Sequence, residues 1–83
     1  MKASEFVSKA FHGTVCAHLN SSGLPGPEFI AAVCANIGKT EVTQIELENN
    51  KLTAENILPL CELIAKNGQI KTLYLRKLQA STS

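Results

Sequence analysis

Net charge is nearly absent from this 83-residue chain: eight Lys and Arg stand against seven Asp and Glu, a formal +1, and charged residues make up only 18% of it. No basic run occurs, so the electrostatic footprint of a nucleic-acid binder is lacking and no nucleic-acid partner is expected. Long apolar runs are missing too. Nowhere do roughly 18 apolar residues follow one another, and the opening MKASEFVSKAFHGT has no apolar stretch of the kind a signal peptide needs. The expectation is a cytoplasmic protein with no membrane partner. Cysteine is sparse and odd in number. Cys16, Cys34 and Cys61 form no C-x-x-C pair, which points to reduced thiols and no intrachain disulfide. The glycines of GLPGPE are not followed by Lys-Ser or Lys-Thr, so this is a turn before a helix and not a phosphate loop. A chain of this length makes one small domain or a piece of a larger one, with a modest core.

What is present is a repeat. Val42, Ile45 and Leu47 return 28 residues later as Ile70, Leu73 and Leu75, and 28 residues earlier as Thr14, Ala17 and Leu19. TVCAHLNSSGL, VTQIELENNKL and IKTLYLRKLQA are three versions of one phrase, of which the middle is the cleanest. Between them lie two helical stretches, PEFIAAVCANIGK (27 to 39) and ENILPLCELIAKNG (55 to 68). Ile30, Val33, Cys34 and Ile37 in the first, and Ile57, Leu60, Cys61 and Ile64 in the second, share the i, i+3, i+4, i+7 spacing of a core-facing stripe. Pro27 suits a first helical turn. Pro59 implies either a helix that begins near Ile57 with Asn56 as its cap, or a kink. Ahead of the repeats, residues 4 to 12 predict a short helix with Ser4 as N-cap, either a cap on the array or the helix half of a preceding unit.

The run from Val42 to Leu52, V-x-x-I-x-L-x-x-N-x-L, resembles the leucine-rich-repeat phrase L-x-x-L-x-L-x-x-N-x-L, and the 28-residue period with a full helix per unit resembles the ribonuclease-inhibitor-like type. The resemblance implies an α/β solenoid with a parallel three-stranded sheet on the concave face and helices on the convex face. Residues 1–13 would be an N-terminal capping helix, 14–78 about two and a half repeat units, and 79–83 a disordered tail. It also implies a structural asparagine, Asn50, satisfying backbone groups where the chain leaves the strand. The first copy has Ser22 there and the last has Leu78.

In such a ladder equivalent residues stack about 4.8 Å apart. With Ile45 and Leu47 inward, three outward rows follow: Cys16, Gln44 and Thr72; His18, Glu46 and Tyr74; Asn20, Glu48 and Arg76. A flanking row holds Ser21, Asn49 and Lys77. The resemblance makes this face the place where a partner protein is read, through His18, Asn20, Gln44, Glu46, Glu48, Asn49, Thr72, Tyr74, Arg76 and Lys77. The plainer alternative is a solvated polar face, with Glu48 paired to Arg76 and His18 to Glu46. Cys16 and His18 could supply two metal ligands where a structural zinc needs about four. A Cys–His catalytic pair would need an orienting third group that the pattern does not identify. No metal, cofactor or enzymatic activity is therefore expected. Finally, strand 70–78 is an edge with Ile70, Leu73 and Leu75 lacking a following helix, a template for homo-oligomer formation or for further repeats.

Overall fold

Apolar residues three and four apart make the helices of this chain, and short alternating runs make its strands. The computed structural model describes residues 3–20, 24–49 and 51–76. In chain order the elements are α1 (Ala3–Phe11), β1 (Cys16–Asn20), α2 (Gly26–Ile37), β2 (Gln44–Glu48), α3 (Ala54–Asn67) and β3 (Thr72–Arg76). The architecture is α/β, with one parallel sheet in the order β1-β2-β3. Cys16 pairs with Gln44 and Gln44 with Thr72, so each strand meets the chain 28 residues further on. The bonds that lead into the sheet keep the same step. Thr43 N–H donates to the Val15 carbonyl at 2.8 Å, and Lys71 N–H to the Thr43 carbonyl at 2.7 Å.

Successive side chains on a strand point to opposite faces. On one face Ala17, Leu19, Ile45 and Leu47 are at most 1% exposed, and they share a single core with Val7 and Phe11 of α1, Phe29, Val33 and Ile37 of α2, and Leu60 of α3. Val42 and Leu52, on either side of β2, are fully buried as well. The helices therefore cover one face of the sheet and leave the other to solvent. Among the described residues, no helix is long and apolar enough to cross a membrane.

The helix ends depart from expectation. α1 starts at Ala3, which puts Ser4 inside its first turn and not at the cap. For α3 the cap is Thr53, not Asn56: the Thr53 hydroxyl accepts the Asn56 N–H at 3.3 Å while the Asn56 side chain accepts the Thr53 N–H at 3.2 Å. This reciprocal capping box starts the helix at Ala54, early enough to enclose Pro59. Pro27 does lie in the first turn of α2. Gly26, just before it, is buried under α3's cap, where an added Cβ would meet the Asn56 carboxamide and, at 3.0 Å, the Lys51 carbonyl. α3 closes on Gly68 at φ +72°, a left-handed backbone natural to glycine, and its N–H reaches the Ile64 carbonyl at 3.1 Å.

Two further expectations need correction. Cys61, placed by its spacing on the core stripe, is exposed, and Cys34 is only partly buried. Among the described residues α2 packs between α1 and α3, whereas α3 has no helix neighbour besides α2, which leaves Cys61 uncovered. Ile70, expected to be uncovered, is buried at 6%; exposure begins further along β3, where Leu73 is half-buried and Leu75 is 38% exposed. Asn50, Ser21, Ser22, Lys77 and the 79–83 tail lie outside the described residues.

Two polar side chains, one buried and one partly buried, tie neighbouring segments together. Asn49 is fully buried, not outward: its amide donates to the Leu24 carbonyl at 3.2 Å and its oxygen accepts the Lys51 N–H at 2.7 Å. Position 49 has the parity of Ile45 and Leu47, so the alternation of the strand carries Asn49 to the core side and not to the open face. The second tie is Gln69, whose Nε2 lies 2.7 Å from the Ile37 carbonyl, 2.9 Å from that of Thr40 and 2.8 Å from that of Val42. It gathers the end of α2 and the approach to β2.

Removing buried methyl groups at Leu47 leaves a cavity between sheet and helices, so Leu47→Ala is expected to lower unfolding free energy by about 2–5 kcal/mol. Gln69→Ala leaves buried carbonyls without their donor and should cost about 1–3 kcal/mol. Urea titration followed by circular dichroism measures both; a Gln69→Ala midpoint equal to wild type would show that water replaces the amide at no cost.

Candidate functional site

The open face of the sheet is built by the residues that alternate with the core set. The register puts Cys16, Gln44 and Thr72 in one row, His18, Glu46 and Tyr74 in the next, and Asn20, Glu48 and Arg76 in the third. His18, Asn20, Gln44, Tyr74 and Arg76 are exposed, whereas Cys16, Glu46, Glu48 and Thr72 are partly buried. Tyr74, at 57% exposure, presents a bare aromatic ring on the edge strand. Of the residues expected on this face, Asn49 is removed by its burial, and Lys77 lies outside the described residues.

Glu46 organises the middle of the face. One carboxylate oxygen lies 3.3 Å from His18 Nδ1 on β1, and the other lies 3.4 Å from Arg76 Nη1 on β3. The His18 partner is directly across the ladder, while Arg76 is a diagonal neighbour from the row of Glu48. A guanidinium is long enough to span that diagonal, which lies within reach of long side chains. With its carboxylate bridging both flanking strands, Glu46 keeps a side-chain exposure of 29%, against 68% for His18 and 66% for Arg76.

The other ring nitrogen of His18 points back along its own strand. Cys16 Sγ lies 3.4 Å from His18 Nε2. Residues i and i+2 of a strand share a face, so the contact follows directly from C-x-H on β1. The Thr14 hydroxyl secures the strand's start, donating to the Cys16 carbonyl at 3.0 Å and accepting the Cys16 N–H at 3.2 Å. Thiol, imidazole, carboxylate and guanidinium thus run in one line across the three strands. The sequence identified Cys16 and His18 as neighbours; the third group, Glu46, was legible only as a row partner 28 residues away. Among the described residues no cluster of three or more His, Cys, Asp or Glu is arranged to hold a metal ion.

The helical side offers less chemistry. A groove between α2 and α3 is lined mostly by apolar groups, among them Ile30, Cys34 and Pro59, with Glu55 and Asn56 as its polar members. Burial pushes the Cys34 thiol's pKa above its ordinary value, so at neutral pH it stays protonated and behaves as a small apolar group.

Because His18 and Arg76 are largely solvated, their pairs with Glu46 contribute little to folding. His18→Ala and Arg76→Ala are each expected to change unfolding free energy by less than about 1 kcal/mol, checked by urea titration at low and high salt. A loss comparable to a core deletion would mean that the Glu46 bridge holds the sheet together. Compared with known protein families, with curated proteins and with solved structures, the chain matches none.

Proposed function

We propose that this chain is a leucine-rich-repeat module that binds a partner protein through its open strand face. What supports the reading most directly is one-sidedness: the sheet buries Ala17, Leu19, Ile45 and Leu47 on one face and leaves His18, Tyr74 and Arg76 exposed on the other. Tyr and Arg are enriched among residues that dominate binding energy, and a rigid sheet holds them at low entropic cost. The constant 28-residue step of the register supports the repeat reading. The role is binding, not turnover, and needs no cofactor. A cytoplasmic setting is in keeping with three free cysteines.

The bet falls on Glu46, Glu48, Tyr74 and Arg76. A photo-crosslinking residue at position 72, on the strand face, should capture a partner that the same group at position 62, on α3, does not. Tyr74→Ala with Arg76→Ala should lower that capture at least about tenfold, as hot-spot truncations of 1.4 kcal/mol or more do. Equal capture from both faces, or capture indifferent to the double substitution, would remove the strand face as the binding site.

A second reading rests on a different observation. Leu75 is 38% exposed and Leu73 half-buried, whereas their ladder partners Leu47 and Ile45 are fully buried. An edge strand with an incompletely covered apolar side is a template for another strand, and a second copy of this chain supplies one. Light scattering across a concentration series should then give a dimer that Leu75→Lys dissociates. A strict monomer at the highest concentration would rule this out.

A further inference from the structure

We propose that Cys16 is a reactive thiol that exchanges with small-molecule peptide disulfides, with His18 as its base and Glu46 as the residue that positions the ring. Three contacts carry the assignment. Cys16 Sγ lies 3.4 Å from His18 Nε2, His18 Nδ1 lies 3.3 Å from one Glu46 oxygen, and Arg76 Nη1 holds the other oxygen from 3.4 Å. A carboxylate beside Nδ1 favours the tautomer with its proton there, which leaves the Nε2 lone pair turned toward the thiol. The sulfur lies on a strand whose start is clamped by Thr14, so its position relative to the ring is built into the sheet. Nucleophile, base and orienting group are the parts of an activated cysteine, here supplied by two adjacent strands.

The face is open, which selects among the reactions such a thiol can perform. Acyl transfer develops an oxyanion that needs preorganised donors in a water-excluded site, and His18, with 68% of its side chain exposed, stands in water. Displacement at sulfur develops no such charge. The thiol proton passes to Nε2 as Sγ attacks one sulfur of the disulfide. A new S–S bond forms to Cys16, the old S–S bond breaks, and the departing thiolate takes the proton back from the imidazolium. Cys16 is oxidised, the leaving half is reduced, and the disulfide is the only oxidant required. The product carries a peptide on the strand face beside Glu46.

The other two cysteines serve as internal references. Cys61 is exposed on α3, and Cys34 is partly buried in the α2–α3 groove. The folded protein is incubated with oxidised glutathione at neutral pH, and glutathionylation of each cysteine is timed by peptide mapping. Cys16 should react at least about tenfold faster than Cys61, a conservative fraction of what a positioned base contributes. His18→Gln should bring Cys16 down to the rate of Cys61, and unfolding in urea should bring all three rates together. Glu46→Ala should slow Cys16 and move the ring ¹⁵N resonances of His18 away from the Nδ1–H tautomer, a change that loss of stability alone would not produce. A Cys16 rate less than tenfold above that of Cys61, or one unchanged by His18→Gln, overturns the proposal; unaltered His18 resonances in Glu46→Ala overturn the role of Glu46. No protein partner enters the measurement, so this inference and the binding reading fail independently.

Discussion

A parallel ladder closes only if the chain, after each crossover, returns to the same height on the neighbouring strand, and everything else in this molecule depends on that return. Here the return takes 28 residues both times. A step one residue longer or shorter would turn Ile45 and Leu47 to solvent and bring Glu46 into the core, because side chains on a strand alternate with a period of two. Burial of the inward set against the helices enforces the register. The register in turn places every outward residue opposite its counterpart.

The middle strand gains most from this. Among the described strands only β2 has ladder neighbours on both sides, and Glu46 uses both, meeting His18 on β1 and Arg76 on β3. Each contact alone is a solvated pair of small energy. Together they hold one carboxylate between a ring and a guanidinium, and the ring between the carboxylate and a thiol. The line of groups from Cys16 to Arg76 comes from three segments that are separated along the chain but aligned by backbone hydrogen bonds.

Where the chain leaves the sheet, polar side chains take over from the ladder. Asn49 answers the Leu24 carbonyl and the Lys51 N–H, Gln69 reaches the carbonyls of Ile37, Thr40 and Val42, and Thr53 with Asn56 closes the start of α3. The bonds of Asn49 to Leu24 and of Gln69 join segments that lie next to one another in space and not in sequence, whereas those of Lys51 and of the Thr53–Asn56 box are local. They satisfy backbone groups that strand and helix leave over, groups that would be costly to bury unpaired.

The helices and strands of the described residues, the parallel pairing at a 28-residue step and the split of β1 and β2 into buried and open sides follow from the sequence alone. Periodicity and self-similarity are properties of the chain, and hydrophobic burial converts them into faces. Tertiary structure decided what depended on neighbours. Asn49 became a buried tie because the Leu24 carbonyl and the Lys51 N–H meet its side chain on the core side, and Cys61 became exposed because, among the described residues, no helix packs beyond α3. Thr53 became the cap because its hydroxyl could be answered by Asn56. Glu46 met Arg76 as well as His18 because side-chain length, not row membership, determines which groups touch. The sequence carries the order of its elements, whereas contacts between segments distant along the chain form only once the sheet has aligned them.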